Sequence, residues 1–170
     1  FPDKLTPSER LNNNLGAISM LNRVEKGERD LDITAQETLS KYVGWGGLAD
    51  VFDESKDGQW KEARAFLKEN LSSSEYEAAK ESTLTAFYTP KIVIDGVYST
   101  LSEMGFKSGN ILEPSMGVGN FIGNLPDEMS KSKFYGVELD SVSGRIAKLL
   151  YPESDVQVKG FEETSFSNNF

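Results

Sequence analysis

The sequence contains no cysteine and no histidine. Without cysteine, neither disulfide bonds nor thiolate chemistry can contribute. Without histidine, the chain lacks the side chain that most often serves as a general base or as a metal ligand. Zinc, haem and serine–histidine–aspartate chemistry are therefore excluded. A carboxylate site for magnesium stays formally open, but we predict no metal site.

Long apolar runs are absent as well. No segment is long enough to span a bilayer, and the start of the chain shows no signal-peptide pattern. The composition is that of an ordinary globular protein, which we expect to be cytoplasmic. Because the chain begins with Phe1 rather than methionine and stops at Phe170 without a terminating element, we expect it to belong to a longer protein.

Positive charge is scarce, and the formal net charge is −9. A nucleic-acid surface normally shows clustered lysine and arginine, because neutralising phosphates drives the affinity. The basic residues of this chain are instead scattered among acids. If the protein acts on nucleic acid, most of the contact should come from another part of the longer protein. A small cationic ligand is compatible with the acidic balance.

The first part of the chain, residues 1–84, is predicted to be helical. A serine or threonine followed three residues later by glutamate predicts a helix start, and we assign helix starts to three such pairs: Thr6 with Glu9, Thr34 with Glu37, and Ser72 with Glu75. Another helix is predicted around Trp60 and Leu67. The segment GWGGL, residues 44–48, is predicted to be a loop. Its Trp45 either packs so as to tie the helical region to the second part of the chain, which we favour, or stacks on a base.

The second part, residues 85–170, predicts an α/β fold. Thr89 is placed as the cap of a helix that starts at Pro90 and runs to about Met104. Short strands are predicted at 111–112, 134–138 and 156–159. A short helix ending near residue 126 and a helix over 141–150 lie between them. This alternation predicts right-handed crossovers and a parallel sheet of about three strands with flanking helices.

The three predicted strands end at residues with polar or aromatic chemistry. These are Glu113, Glu138 and the segment Gly160-Phe161-Glu162. Ligands of open parallel sheets bind beyond the carboxyl ends of the strands. Because the three ends should lie along one rim, we expect a ligand site there.

The segment NILEPSMGVGNF, residues 110–121, follows the first strand into the next helix. Gly117 and Gly119 allow a sharp turn and a close approach to a ligand, although a plain tight turn explains glycines equally well. A dinucleotide would place its pyrophosphate against such a turn, and the Glu113 carboxylate would repel it. S-adenosylmethionine carries an ammonium and a sulfonium and no phosphate, so Glu113 favours that ligand.

The ends of the second and third strands suit the rest of the same ligand. Glu138 lies about 20 residues after the glycines, as ribose recognition requires, and Leu139 beside it can pack on one face of an adenine. Phe161 can cover the other face, and the Glu162 carboxylate can accept from the adenine amino group. Taken alone, each of these residues is equally explained by a polar turn or by core packing.

The segments FYTP, EPSMGVGNF and GVELD, in this order and spacing, resemble the N-terminal half of amino-group-specific DNA methyltransferases, particularly adenine-N6 enzymes. The resemblance covers roughly residues 85–165 and implies a partial Rossmann-like methyltransferase fold. It also implies double-stranded DNA as the substrate of the longer protein. The segment YVGWGGLADVFD, residues 42–53, resembles large methylase–helicase proteins of phages and conjugative elements. This second resemblance implies that a helicase domain and the remaining methyltransferase half share the parent chain.

The resemblance also implies which residues hold S-adenosylmethionine. These are Tyr88, Thr89 and Pro90 at the methionine end; Glu113, Pro114, Gly117 and Gly119 along the methionine and ribose; Phe121 near the transferable methyl; Glu138 on the ribose diol; and Leu139, Phe161 and Glu162 around the adenine. The family often has Asp-Phe where this chain has Gly160-Phe161-Glu162, so Glu162 would replace that aspartate from a displaced position.

The chain departs from the family in its catalytic motif, (N/D/S)-P-P-(F/Y/W). No Pro-Pro pair occurs in the sequence, and we interpret Asn168-Asn169-Phe170 as a linker towards a missing strand. We therefore predict no catalytic residues in this chain and an open edge at strand 111–112, unless the N-terminal helices cover it. Two alternatives stay open: a non-catalytic docking module with a degenerate methyltransferase fold, and a nicotinamide- or flavin-binding oxidoreductase module.

Overall fold

The computed structural model describes residues 5–166. The chain forms two compact units, Phe1–Tyr88 and Thr89–Phe170, and each is described by itself. Among residues 5–166, no helix is long and apolar enough to cross a membrane. The predicted linker Asn168-Asn169-Phe170 lies outside the described residues.

The first unit is helical, as predicted. Its α-helices are α1 (Pro7–Glu25), α2 (Ile33–Ser40), α3 (Gln59–Asn70) and α4 (Ser73–Glu81). The capping boxes predicted at Thr6 and Ser72 are both present. The box predicted at Thr34 is wrong, because Asp32 takes the extended cap conformation and accepts a hydrogen bond from the Ala35 N–H. The helix therefore already includes Thr34.

The GWGG loop between α2 and α3 is packed into this unit. Trp45 is only 3% exposed and meets the rings of Tyr42 and Phe52 edge-on. Trp45 is thus packed inside this unit, and its burial leaves no face on which a base could stack. The fully buried Asn14 holds the loop, since its amide donates to the Gly44 carbonyl and its oxygen accepts from the Val43 N–H.

The second unit is an α/β unit built on a parallel sheet. Its elements are α5 (Lys91–Glu103), β1 (Asn110–Glu113), α6 (Asn120–Gly123), β2 (Lys133–Glu138), α7 (Ser141–Leu150) and β3 (Asp155–Val158). The strands lie in the order β1-β2-β3, all parallel. The predicted fold class, three parallel strands with flanking helices after a helical region, is confirmed. Among the described residues β1 pairs with β2 alone, as expected of an open edge.

Two helix boundaries in this unit differ from the prediction. The cap of α5 is Pro90, with an extended ψ of 147°, and helical residues start at Lys91. Thr89 therefore lies outside the helix and is not its cap. Proline suits a cap as well as a first helical position, because its fixed φ is compatible with both. The helix α6 ends at Gly123, before the predicted Pro126.

Apolar side chains from α5 and from the segment after β1 form one core of the second unit. Ile94, Tyr98 and Met129 are buried there, and Phe121 packs against them. A second cluster joins Met116 of the glycine loop to Ala147 of α7 and Val156 of β3. The loop after β1 is thus anchored in the hydrophobic core rather than lying free on the surface.

Candidate cofactor-binding site

The carboxyl ends of the three strands lie side by side, as predicted for the ligand rim. In the sheet register, Glu113 of β1 pairs with Gly136 of β2, and Glu138 pairs with Val158 of β3. The Lys159 N–H donates to the Glu138 carbonyl and continues the pairing by one residue. Parallel pairing brings both acidic strand ends and the start of the Gly160 segment to the same edge.

The glycine loop after β1 is tied to the end of β2. Gly117 and Gly119 have φ values of +56° and +88°, in the left-handed region that favours glycine. The Met116 N–H donates to the Val137 carbonyl, and the Gly117 N–H donates to Glu138 Oε2 at 2.7 Å. The conformation of the loop and the position of the Glu138 carboxylate therefore depend on each other.

Glu138 is held from two sides. One carboxylate oxygen accepts from Gly117, and the other accepts from the Asp140 N–H at 2.8 Å. Burial raises the pKa of Glu138, while these two N–H groups lower it. Each carboxylate oxygen can accept a further hydrogen bond. The arrangement leaves a fixed, two-oxygen acceptor of the kind that a ribose diol requires.

Glu113 differs from Glu138 in its hydrogen bonding. Its Oε2 is buried and has no hydrogen-bond partner among the described residues. Burial, together with the charge of Glu138, raises the pKa of Glu113 to about 8. A buried acceptor without a donor is costly. A ligand that brings a hydrogen-bond donor or a positive charge would remove this cost, so this acceptor fits the ammonium or sulfonium end of S-adenosylmethionine.

Two tyrosines near Glu113 were not predicted from the sequence. Burial raises the pKa of Tyr98 and of Tyr151, and the charge of Glu113 raises both further. The Tyr98 hydroxyl donates to the Phe121 carbonyl at 2.7 Å. Tyr151 follows α7 and packs against the glycine loop. Tyr98 lies on α5 and Tyr151 directly after α7, both away from Glu113 in sequence, so neither is marked by the strand-end pattern.

Two apolar side chains are exposed beyond the strand ends. Leu139 is 76% exposed after β2, and Phe161 is 47% exposed after β3. Burying such surface against a flat aromatic ligand is favourable. Glu162 is exposed and folds its carboxylate back towards Gly160. The structure thus brings Glu113, Glu138, Leu139 and Phe161 to neighbouring strand ends.

The other residues predicted to hold the cofactor lie in several parts of the structure. Tyr88 belongs to the first unit, where its ring lies beside Gly44. Thr89 and Pro90 precede α5 in the second unit, and Pro114 is exposed directly after β1. Phe121 packs edge-on against Tyr98 at a centroid distance of 5.9 Å. Within residues 5–166, no group of acidic side chains is arranged to hold a metal ion.

Comparison with known proteins supports a methyltransferase relationship over part of the chain. No protein-family profile matches. A stretch of 85 residues, half of the chain, is 39% identical to the defense against restriction protein B of Escherichia phage P1, and it spans 4% of that protein. A stretch of 62 residues, 36% of the chain, is 39% identical to the type II methyltransferase M.CvrRI of Paramecium bursaria Chlorella virus XZ-6E, and it spans 16% of that protein.

A solved structure from Listeria monocytogenes, assigned as a class I S-adenosylmethionine-dependent methyltransferase, aligns with 92% of this chain and 55% of its own. Its sequence identity is 16% and its TM-score is 0.38, so the fold assignment rests on the strand order and register given above. The similarity to the type II methyltransferase confirms the resemblance to methyltransferases that the motifs predict. The chain spans only a small part of either relative.

Proposed function

We propose that this chain binds S-adenosylmethionine and forms the cofactor-binding portion of a DNA adenine-N6 methyltransferase. The observation that carries the proposal is the buried, unpartnered carboxylate oxygen of Glu113 beside a second acidic strand end, Glu138. Among the described residues, no cationic side chain contributes to the pKa of Glu113. A cationic ligand would therefore supply the charge that balances Glu113.

The bound cofactor would supply an activated methyl group on a sulfonium. The chain's own residues would bind and orient it. Glu113 would accept from the cationic end, and Glu138, held by Gly117 and Asp140, would accept from the ribose hydroxyls. Leu139 and Phe161, both exposed, would cover the adenine. The roles of Thr89, Pro90 and Phe121 near the methionine end are part of the same proposal.

The same carboxylates disfavour a dinucleotide. A pyrophosphate at the glycine loop would be stabilised by the N–H groups of a following helix. Here the Gly117 N–H is already used by Glu138, and α6 is only four residues long. A phosphate would also lie near Glu113 and Glu138. We therefore expect nicotinamide and flavin dinucleotides to bind far more weakly than S-adenosylmethionine.

The proposed reaction needs a longer protein. The chain has no Pro-Pro motif to hold the amino group of a flipped base. We propose that the parent supplies that motif, the contacts to double-stranded DNA and a helicase domain, and that it acts in the cytoplasm. The similarity to a phage protein named for defense against restriction and to a type II methyltransferase supports the DNA substrate.

Titration calorimetry of the chain with S-adenosylmethionine, sinefungin and NAD⁺ tests the cofactor. We expect the first two to bind and NAD⁺ not to bind. Glu138→Gln should weaken binding about tenfold or more, as expected when a charged acceptor is lost. Glu153→Gln, at an exposed position, is the matched control and should change nothing. A folded chain that binds neither S-adenosylmethionine nor sinefungin would favour a docking module.

Mass spectrometry of DNA treated with the longer protein and S-adenosylmethionine tests the substrate. We expect N6-methyladenine in the DNA. N4-methylcytosine as the product would refute the adenine assignment but keep the cofactor site. If a protein that binds the cofactor leaves the DNA unmethylated, the proposed DNA methyltransferase activity is refuted.

A further inference from the structure

We propose that Tyr151 is a positioning residue for the cofactor site. Its ring fills the space left by Gly119 and Gly123, and it thereby holds the loop in the conformation in which Gly117 donates to Glu138. The proposal rests on the proposed function for its biological meaning. Tyr151 packs against the loop, so its effect on binding would pass through Glu138.

The fit between Tyr151 and the loop is close. A Cβ added at Gly119 would lie 2.4 Å from a Tyr151 ring carbon, and a Cβ added at Gly123 would lie 2.5 Å from the Tyr151 hydroxyl. Both distances are shorter than real contacts allow. The glycine pattern that suggested a close approach to a ligand is thus already used by a side chain of the protein.

The two glycines differ in a way that isolates the effect of Tyr151. Gly119 has a φ of +88°, so a side chain there would be strained whatever its neighbours. Gly123 has no positive φ, and outside its chain neighbours and its own helix backbone the atoms within 4 Å of its added Cβ belong to Tyr151. The Tyr151 hydroxyl oxygen is therefore the atom that requires residue 123 to be glycine.

The helix α7 connects this contact to the acidic rim. It begins after the Asp140 cap, whose own N–H donates to Glu138, and it ends at Tyr151, whose N–H donates to the Ala147 carbonyl. The loop is consequently held at two points: at Gly117 by the Glu138 carboxylate and at Gly119 by the Tyr151 ring. Loss of one contact should loosen the other.

A double-mutant cycle of Gly123→Ala and Tyr151→Phe tests the proposal. Gly123→Ala should weaken S-adenosylmethionine binding about tenfold, because the new methyl group collides with the phenol oxygen and displaces the loop. Tyr151→Phe removes only that oxygen and should change the affinity by less than about threefold. The double variant should bind like Tyr151→Phe, because the collision is gone.

The amide shift of Gly117 is a second measurement, made without any ligand. Gly123→Ala should move this signal, since it reports the hydrogen bond to Glu138, and Tyr151→Phe should restore it. If Gly123→Ala alone fails to fold, recovery of folding in the double variant supports the same fit. Gly96→Ala, with no atom within 4 Å of its added Cβ, is the control and should leave both measurements unchanged.

Two results would overturn the proposal: an unchanged Gly117 shift in Gly123→Ala, or a changed shift that Tyr151→Phe does not restore. A wild-type chain that binds no S-adenosylmethionine would refute the proposed function instead. The Gly117 shift would still decide the positioning role in that case, so the two failures are distinguishable.

Discussion

The raised pKa of Glu113 predicts that cofactor binding depends on pH and releases a proton. With a pKa of about 8, about one carboxyl in ten is ionised at pH 7 in the free protein. If the cationic ligand requires the carboxylate, ionising Glu113 costs about 1.4 kcal/mol at pH 7. The dissociation constant should therefore fall about tenfold between pH 6 and pH 7, and about fivefold more by pH 8.

Titration calorimetry in buffers of different ionisation enthalpy measures both effects. Wild-type protein should release close to one proton per bound S-adenosylmethionine at pH 7. Glu113→Gln keeps the shape of the side chain but cannot ionise, so its affinity should be lower at pH 8 and flat from pH 6 to pH 8. An equal pH slope in wild type and Glu113→Gln, or binding by wild type without proton release, would refute the assignment of Glu113 to the cationic end.

Three further predictions concern stability. The folded pKa of Glu113 lies above its ordinary value of 4.5, so protonated Glu113 contributes its full stabilisation below pH 4.5. This contribution, at most about 5 kcal/mol, is lost as pH rises from 4.5 through 8. Glu113→Gln should therefore make the denaturant midpoint less dependent on pH between 4.5 and 8, and an unchanged pH dependence would contradict this. Gly46→Ala should lower the free energy of unfolding by about 2–3 kcal/mol, because the new Cβ would lie 2.2 Å from the Ala86 carbonyl oxygen. Gly16→Ala on α1 should leave the stability unchanged or raise it. Equal denaturation midpoints for both variants would count against the packing of the GWGG loop. Amide exchange should be slower in β2, which is paired on both sides, than in β1, and strong protection throughout β1 would show that its edge is covered.

Local patterns predicted the elements that depend on neighbouring residues. The strand ends at Glu113 and Glu138 follow from short apolar runs closed by an acid, and α7 was predicted with its observed bounds. These elements could be placed because burial and turn chemistry act within a few residues. The parallel order then followed from the alternation of strands and helices.

The errors came where several residues suit the same local role. Thr34 with Glu37 has the spacing of a capping box, yet Asp32 begins the helix, since aspartate caps as well as threonine. Thr89 precedes a proline that serves as the cap itself. Sequence alone does not rank such neighbouring candidates, because the choice depends on how the preceding chain enters the helix.

The tyrosine contacts at the site could not be predicted. Tyr151 meets Gly119 and Gly123 only because α7 returns along the sheet to the loop, and Tyr98 reaches the Phe121 carbonyl from α5. Both contacts join positions more than 20 residues apart. Local spacing does not indicate which loop such a tyrosine supports.

The most direct test of the cofactor site is a titration of the isotopically labelled chain with S-adenosylmethionine, followed by amide chemical shifts. We expect shifts concentrated at Gly117, Gly119 and Leu139, with none produced by NAD⁺ at the same concentration. A folded chain whose amides at these positions stay unchanged at millimolar S-adenosylmethionine would contradict it.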